Sequence, residues 1–314
     1  MMMATKRVQD LLEKLPRVRG ELRANVPLAR YTWFRVGGPA EVLFTPADRD
    51  DLVKFLQGCP DNTPFTVIGL GSNVLVRDGG IPGVVIRLVR GLSVIKVEGS
   101  EISVGAGALD LKVSRTAAAA GIGGLEFLSG VPGSIGGAVR MNAGAYGQEV
   151  ADVLVSAVVI NQRGLSRERV ADEFRFTYRT SNLAKDDIVV EARFRGYMDT
   201  STRIAKRMGQ LEKIRSESQP TRERTGGSTF INPPQDTAWR LIDNAGCRDL
   251  RCGGATISKK HCNFLVNNGN ATAADLEGLG EEVRRRVFYE TGVRLAWEIR
   301  RLGCHAAILR DVGA

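Results

Sequence analysis

The chain lacks several features that would place it in common classes of protein. No apolar run approaches the ~18 residues that span a bilayer, and the N-terminal MMMATKRVQD has no apolar core of a secretory signal. Only two histidines occur in 314 residues, so a serine hydrolase would have few candidate bases. These absences predict a cytoplasmic protein that does not insert into a membrane.

Cysteine is scarce as well, with five residues and no C-x-x-C pair. The odd number and the unpaired spacing argue against disulfides. Four possible zinc ligands lie close together in the sequence, namely Cys247, Cys252, His261 and Cys262. Their spacing is not that of zinc fingers, and the neighbouring side chains at 261 and 262 would point to opposite faces of a strand. We therefore predict that no metal is bound.

The charge does not indicate nucleic acid, although 44 Lys and Arg against 35 Asp and Glu give a net charge of +9. The basic residues are dispersed, and their densest run, 284–286, falls on one predicted helix. There is no basic tail and no aromatic-basic recognition motif. A positive field also raises the local concentration of anionic cofactors and substrates, so we favour an enzyme with anionic ligands.

The length predicts two domains, because a single core rarely grows beyond ~250–300 residues. From about residue 41 to 195 short β-type runs alternate with turns and a few helices, which is an α+β pattern. The predicted strands there are 41–45, 66–69, 84–88, 93–97, 101–105, 153–160 and 188–194, and the predicted helices are 48–57 and 110–120. A charged amphipathic helix over 201–218 follows, so we place a domain boundary near residue 198.

The remaining C-terminal stretch predicts further elements of both kinds. They are a helix over 237–244, a strand over 263–267, a helix that begins at the capping sequence of Thr272, and a final strand over 293–300.

Two glycine-bearing segments carry the strongest functional signal. Residues 123–147 read GGLEFLSGVPGSIGGAVRMNAGAYG, and residues 69–73 read GLGSN between two apolar runs. Glycine permits positive φ and close approach of a ligand, so that backbone N–H groups can converge on an anion. Neither segment fits G-x-G-x-x-G or the P-loop pattern. We predict a pyrophosphate cradle of another type, although GLGSN alone would also suit a hairpin turn.

Six motifs then occur in a recognisable order along the chain. They are GLGSNVL (69–75), LEFLSGVPGSIGGAVRMNAGAYG (125–147), FTYRTS (176–181), GGSTFINP (226–233), HCNFLVN (261–267) and LAWEIRRLG (295–303). Together they resemble the UDP-N-acetylenolpyruvoylglucosamine reductase family, the flavoenzymes of bacterial peptidoglycan precursor synthesis, in its shorter subtype. The resemblance covers nearly the whole chain from about residue 25.

The resemblance implies an α+β fold with an FAD-binding domain of the vanillyl-alcohol-oxidase type, made of two subdomains, and a smaller α+β substrate domain. We expect an N-terminal helical extension over 1–26, the FAD-binding domain over 27–197 with a split near 90, and the substrate domain over 198–314. The implied reaction uses NADPH to reduce FAD, and the reduced flavin converts UDP-N-acetylglucosamine enolpyruvate to UDP-N-acetylmuramate. We expect a monomer or a weak oligomer.

The resemblance also implies three catalytic residues. Arg179 would grip the substrate carboxylate, Ser228 would donate a proton, and Glu298 would act opposite Arg179. Without the resemblance, Arg179 would be taken for a surface ion pair and Glu298 for the polar face of a strand. Thr229 is a lesser candidate beside Ser228, and GGSTF is not the G-x-S-x-G of a hydrolase.

The same comparison of motifs assigns binding residues. Backbone contacts to FAD are expected at Gly69, Gly71, Ser72, Asn73, Gly133, Ser134, Gly136, Gly137, Asn142 and Gly144. Side chains of Ser72, Asn73, Ser134 and Asn142 are expected to help. The nucleotide sugar is expected at Asn232, Arg215 and Gln219, with His261 and Asn263 either contacting substrate or orienting their strand. Tyr146 is either a packing residue or a flavin contact.

Two alternatives stay open at this point. One is another FAD-linked oxidoreductase of the same fold, although the flavin-tethering histidine or cysteine of many such enzymes is absent from 66–77 and 123–147. The other is a basic nucleotide-binding or RNA-binding module without catalysis, which would not need the residue types found at 179, 228 and 298.

Overall fold

A computed structural model describes residues 2–306, and its first part is built on a four-stranded sheet. Its elements are helices α1 (Met2–Lys14) and α2 (Arg49–Gly58) and strands β1 (Glu21–Pro27), β2 (Pro39–Thr45), β3 (Phe65–Ile68), β4 (Val74–Val76) and β5 (Ile81–Arg87). The sheet order is β1-β2-β5-β3. β1 runs antiparallel to β2, whereas β2, β5 and β3 are parallel. β4 lies outside this sheet.

The second part contains a five-stranded antiparallel sheet in the order β12-β11-β13-β7-β6. Its elements are β6 (Ile95–Glu98), β7 (Glu101–Gly105), α3 (Asp110–Ala119), β8 (Ile122–Gly123), α4 (Ile135–Arg140), β9 (Gly144–Ala145), β10 (Gln148–Glu149), β11 (Leu154–Ile160), β12 (Ser166–Val170), β13 (Ile188–Arg195), β14 (Tyr197–Met198) and α5 (Ser201–Ser218). Short antiparallel pairs join β8 to β14 and β9 to β10.

One buried apolar cluster is shared by the first two parts. It includes Phe44 and Phe55 from the first part, whose ring centroids lie 4.1 Å apart, and Phe127 and Phe194 from the second. Burying one large apolar side chain stabilises a fold by about 1.5–3 kcal/mol. The segments 69–73 and 133–137 belong to different parts of the chain. The shared core therefore holds them in place relative to each other.

The third part is smaller and has its own core. Its elements are α6 (Ala238–Asn244), β15 (Arg251–Cys252), β16 (Ala255–Ile257), β17 (Leu265–Asn267), α7 (Ala273–Thr291) and β18 (Arg300–Leu302). β15, β16 and β17 form an antiparallel sheet. Thr272 caps α7 through a capping box with Asp275, as the sequence predicts, and Gly292 ends the helix at φ +71°.

The chain then returns from the third part to the first. β18 pairs in parallel with β4, so that Arg300 lies opposite Val74. The carboxylate of Asp78 accepts the first N–H groups of α7, at 2.9 Å from Ala273 and 2.9 Å from Ala274. These contacts bring the segment before β18 to the loop before β4, and both predicted functional stretches meet there.

Most predicted elements are confirmed, and β7 and α5 have the predicted bounds. The final strand predicted over 293–300 is wrong, because within the described residues that stretch pairs only through an isolated bridge between Trp297 and Phe230, and the ladder begins at Arg300. The N-terminal extension is helical only to Lys14, since residues 21–27 form β1. The domain boundaries near 90 and 198 stay predictions.

Three further observations bear on the predicted absences. No helix between residues 2 and 306 is long and apolar enough to cross a membrane. All five cysteines are free, and Cys247 and Cys262 are buried in the core of the third part. Within the same residues no group of three or more His, Cys, Asp and Glu side chains is arranged to hold a metal ion.

Candidate active site

The first glycine-bearing segment, residues 69–73, links β3 to β4. Its backbone N–H groups donate no hydrogen bond to any other group between residues 2 and 306. Gly71 has a φ of +68°, and a side chain there would overlap the carbonyl oxygen of Tyr31. The Gly71 carbonyl also accepts the Trp33 N–H at 3.0 Å. Gly71 therefore fixes the shape of the segment, and the unused N–H groups are what an anion-binding loop offers.

The second segment, residues 133–137, lies against the first. A side chain at Gly69 would overlap Ser134 Oγ, so the two segments are in contact there. The N–H groups of Ser134 and Gly137 have no acceptor in the described chain. Gly137 is exposed, and a Cβ there would meet nothing within 4 Å. Segments 69–73 and 133–137 together are called the cradle below.

A carboxyl group that the sequence did not single out lies beside the cradle. Asp110, the first residue of α3, is fully buried, and its N–H donates to Gly133 O at 3.1 Å. Neither of its carboxyl oxygens has a hydrogen-bond partner among residues 2–306. Burial raises the pKa of this carboxyl well above its usual range. An acidic residue in the first turn of a helix is common, so no sequence pattern distinguishes Asp110.

Arg179 occupies the tip of a tight turn without the help of glycine. Thr177 and Thr180 exchange both backbone hydrogen bonds at 3.1 Å, and Arg179 has a φ of +60°. This left-handed conformation costs a non-glycine residue about 1–2 kcal/mol. Asn142 anchors the turn, because its Nδ2 donates to Thr177 O at 3.1 Å and its Oδ1 accepts from Ala151 N at 2.9 Å. The surroundings therefore hold Arg179 in a strained backbone conformation.

Three predicted cofactor contacts have other roles. The side-chain amide of Asn142 donates to Thr177 O and accepts from Ala151 N, so its observed role is to hold these two segments; a cofactor contact at this residue stays a prediction. Gly136 donates its N–H to Ala106 O at 2.8 Å, which leaves no free donor for a ligand. Gly144 uses its carbonyl to accept Arg179 Nη2 at 2.8 Å. The N–H of Gly136 is thus taken by a protein acceptor, whereas the contact at Gly144 uses its carbonyl and not the N–H that a phosphate would need.

Arg179 and Glu298 come together from distant parts of the chain. Arg179 Nε lies 3.3 Å from Glu298 Oε1, and the two side chains are 17% and 15% exposed. The guanidinium carbon also lies over the ring of Tyr178, 4.9 Å from its centroid. Nε and Nη2 are thus in use, while Nη1 has no acceptor in the described part of the chain. One arm of the guanidinium fork is left for a ligand.

Glu298 is held by hydrogen bonds to its main chain. Its N–H donates to Thr229 O at 2.8 Å, and its carbonyl accepts from Asn73 Nδ2 at 3.3 Å. The Asn73 Nδ2 group therefore contacts Glu298, and the predicted contribution of this side chain to cofactor binding stays a prediction. Burial raises the pKa of Glu298 from 4.5 to about 7, and the charge of Arg179 acts in the opposite direction. Such a carboxyl can hold or release a proton near neutral pH.

Ser228 directly precedes Thr229, whose carbonyl accepts the Glu298 N–H. It is half-buried, and its hydroxyl makes no hydrogen bond within residues 2–306. Thr229, by contrast, is 1% exposed, and its Oγ1 accepts from Leu265 N at 3.3 Å. The hydroxyl of Ser228 is therefore available for chemistry, whereas the lesser candidate Thr229 is a structural residue.

Asn232 lies next to the Arg179 turn. It is exposed, its Oδ1 accepts from Ala238 N at 2.9 Å at the start of α6, and its Nδ2 is 3.5 Å from Tyr178 Oη. Tyr178 is 49% exposed and was missed by the sequence analysis, although it is part of the FTYRTS motif. Its position between Arg179 and Asn232 adds an aromatic group to the site.

A polar cluster, formed by Tyr146, Arg215 and Gln219, lies at the end of α5. Tyr146 and Gly147 have φ values of +57° and +82° at the tip of the β9–β10 hairpin. A Cβ at Gly130 would lie 2.5 Å from the Tyr146 ring, so the ring packs there and is still 37% exposed. Burial lowers the pKa of Arg215, and the Tyr146 phenol opposes this shift. Arg215 Nε donates to Gln219 Oε1 at 3.4 Å, so the two predicted residues are neighbours.

Both polar atoms of the Asn263 side chain bond to the backbone of Phe230. Its Oδ1 accepts from Phe230 N at 3.0 Å and its Nδ2 donates to Phe230 O at 2.9 Å, and the residue is 4% exposed. The amide therefore has a structural role, since it joins the turn before β17 to Phe230, and a substrate contact at Asn263 stays a prediction. His261 is half-buried, and its Nδ1 accepts from Asn263 N at 3.3 Å.

The fold and the cradle define a class of protein. Residues 40–168 match the family model described as "FAD binding domain". This match covers most of both cradle-bearing parts, and it confirms the predicted α+β, FAD-binding fold. The class is that of FAD-dependent oxidoreductases.

Comparison over the whole chain identifies the family. The chain is 55% identical over 302 residues to the UDP-N-acetylenolpyruvoylglucosamine reductase of Parvibaculum lavamentivorans, covering 96% of this chain and 97% of that one. It is 54% identical over 301 residues to the reductase of the same name from Paramagnetospirillum magneticum, covering 96% and 98%. Residues 219–302 match the C-terminal domain model of that reductase.

A solved structure agrees with this result. The crystal structure of UDP-N-acetylenolpyruvylglucosamine reductase from Thermus caldophilus is 38% identical, covers 91% of this chain and 100% of its own, and superposes with a TM-score of 0.79. The chain belongs to the UDP-N-acetylenolpyruvoylglucosamine reductase family.

Proposed function

We propose that this chain reduces UDP-N-acetylglucosamine enolpyruvate to UDP-N-acetylmuramate in bacterial peptidoglycan precursor synthesis, with FAD as cofactor and NADPH as reductant. Family membership supports the reaction, and the FAD binding domain supports the cofactor. The assignment of catalytic residues rests on the pair of Arg179 and Glu298, which lie 3.3 Å apart. Asn73 connects Glu298 to the cradle through a hydrogen bond. A cytoplasmic location and a monomer or weak oligomer stay predictions.

The cradle fits the pyrophosphate of FAD. It offers unused N–H groups from two segments and open space beside Gly137, which is the arrangement that binds phosphate without basic side chains. The groups that would hold the cofactor are the backbone or hydroxyl groups of Gly69, Ser72, Asn73, Ser134 and Gly137, whereas the Gly133 N–H already donates to Val131 O at 3.0 Å. When bound, FAD would supply the transfer of a hydride from NADPH to the enolpyruvyl double bond.

Arg179 would bind the carboxylate of the enolpyruvyl group. Hydride addition to a double bond conjugated with a carboxylate moves negative charge onto that carboxylate, so a fixed cation there stabilises the transition state. Nη1 of Arg179 is the unused arm of the guanidinium. Because Asn142 and Gly144 already hold the turn and the side chain, little reorganisation is needed during the reaction.

Ser228 would supply the proton that completes the reduction. Its Oγ carries a hydrogen that no protein acceptor in residues 2–306 engages, and the carbanion-like carbon is basic enough to take a proton from an unactivated hydroxyl. The proton moves from Ser228 Oγ to the carbon beside the carboxylate. Glu298, with a pKa of about 7 and an oxygen 3.3 Å from Arg179 Nε, would act beside Arg179 by polarising or protonating the developing enolate.

The nucleotide sugar would lie between two groups of side chains. Asn232 and Tyr178 flank the Arg179 turn, while Arg215, Gln219 and Tyr146 form the polar cluster at the end of α5. Arg215 is the cation of this cluster and suits a diphosphate. His261 is retained as a candidate because its Nε2 is not used by the contact to Asn263.

Anaerobic visible spectroscopy tests the proposal in one cuvette. The purified protein is expected to show flavin bands that bleach with NADPH and return on addition of UDP-N-acetylglucosamine enolpyruvate. Bleached flavin that only oxygen restores would indicate another FAD-linked oxidoreductase of this fold. A colourless protein that FAD cannot reconstitute would contradict the assignment of the cradle.

A further inference from the structure

Asp110 has a hydrogen-bonding requirement that the protein alone does not meet. The residue is 0% exposed, and both carboxyl oxygens lack a partner in the described chain. A buried polar group without a partner costs about 1–3 kcal/mol, and native structures contain few of them. Asp51, a second buried aspartate, shows the usual situation, since it accepts the N–H groups of Arg19, Gly20 and Ala47 at 2.8–3.0 Å.

The position of Asp110 points to the cradle as the source of the missing partner. Its Oδ2 lies 2.7 Å from the point where a Cβ of Gly133 would be, and Ser72 Oγ lies 3.8 Å from the same point. The carboxyl is therefore at the place where both cradle segments converge. A side chain at 133 would overlap it, so glycine there leaves room for Asp110.

The ionisation state follows from the same surroundings. No basic side chain pairs with Asp110 anywhere in residues 2–306, and full burial disfavours the charged form. An ionised carboxylate would also repel a phosphate bound at the neighbouring N–H groups. The neutral acid instead has one O–H donor, and phosphate oxygens are strong acceptors.

We propose that Asp110 is a cofactor-binding residue whose un-ionised carboxyl group donates a hydrogen bond to a phosphate oxygen of bound FAD, directly or through one water molecule. This inference depends on the assignment of the cradle to FAD made above. It adds a side-chain donor to a site otherwise built from backbone N–H groups and serine hydroxyls, and it explains why a carboxyl without a protein partner is buried there.

FAD titration of the flavin-stripped full chain tests this, with flavin fluorescence as the readout. Asp110→Leu is expected to weaken FAD binding about 10- to 100-fold, the range for losing a hydrogen bond to a charged group. Asp110→Asn keeps an N–H donor and is expected to stay within about 3-fold of the wild type. Asp110→Ala, which adds no bulk, is expected to behave like the leucine variant.

Urea denaturation of the same flavin-free proteins separates binding from folding. Asp110→Leu is expected to be as stable as the wild type or more stable, because it removes an unsatisfied group. Asp51→Asn is the matched control: it weakens three buried hydrogen bonds, so it should lower stability and leave FAD affinity unchanged.

The possible outcomes are distinct. Wild-type affinity in the leucine and alanine variants would overturn the role of Asp110 while leaving the proposed function intact. Loss of stability in the flavin-free Asp110 variants, to the extent seen with Asp51→Asn, would assign a structural role and overturn it as well. Failure of the wild-type chain to bind FAD would overturn the proposed function itself.

Discussion

The pKa of Glu298 makes the stability of this protein depend on pH in a specific direction. Burial raises that pKa from 4.5 to about 7, so the folded protein binds this proton more tightly than the unfolded chain does. The protonated Glu298 carboxyl therefore makes its full contribution to the free energy of unfolding below about pH 4.5, and this contribution is lost as the pH rises through about 7. The difference between the two pKa values corresponds to about 3 kcal/mol.

Glu298→Gln removes the titration while keeping the size of the side chain. We expect the free energy of unfolding of the wild type, relative to this variant, to fall by about 3 kcal/mol between about pH 5 and about pH 8. The discount for solvent screening is small because the side chain is only 15% exposed. Urea denaturation of flavin-free protein at both pH values measures the effect.

Glu277→Gln is the matched control with the opposite sign. The Arg77 guanidinium, with Nε and Nη2 each 2.9 Å from this carboxylate, holds the pKa of Glu277 below 4.5. Its contribution to stability is present above about pH 4.5 and is lost as the pH falls. A difference between wild type and Glu298→Gln that is constant with pH, or that grows toward acid as for Glu277→Gln, would refute the reasoning.

Other substitutions test individual contacts. Ser228→Ala should leave bleaching of the flavin by NADPH intact and slow its reoxidation by the enolpyruvyl substrate about 10²- to 10⁴-fold; stopped-flow absorbance separates the two half-reactions, and equal slowing of both would contradict the proton-donor role. Asn142→Ala removes two buried hydrogen bonds and should lower the free energy of unfolding by about 2–4 kcal/mol, so a urea midpoint unchanged from wild type would exclude the anchoring role. Gly71→Ala places a methyl group on the Tyr31 carbonyl at a φ of +68° and should destabilise by more than about 2 kcal/mol. Gly137→Ala, with nothing within 4 Å, is the control and should melt like the wild type.

The local sequence pattern predicted most of the secondary structure, because helix and strand formation depends largely on residues that are neighbours in sequence. The helix Ser201–Ser218 and the strand Glu101–Gly105 have the predicted bounds, since capping, charge and alternation are all local signals. The prediction of a strand over 293–300 failed because it used only such local signals. The alternating pattern of this stretch is that of a strand, but whether a segment forms a ladder depends on a partner from elsewhere in the chain.

The site was predictable by residue type and not by orientation. A glycine-rich segment indicates an anion-binding loop, yet it does not reveal whether an asparagine within it faces the ligand or a neighbouring carbonyl. Asn142 and Asn263 both bond to the protein backbone, and only the tertiary structure could show this. Asp110 was missed because its unusual property is the absence of partners, which no sequence pattern encodes.

The parallel pairing of β18 with β4 also has a consequence for the order of synthesis. Val74 is synthesised long before its partner Arg300. The loop before β4 is joined to the segment of Glu298 by that late contact and by Asn73. A nascent chain can thus build the cradle segments long before it can place Glu298 beside Arg179. Reducing activity therefore requires that β18 returns to β4, and we expect a chain shortened before β18 to bind flavin without turning over.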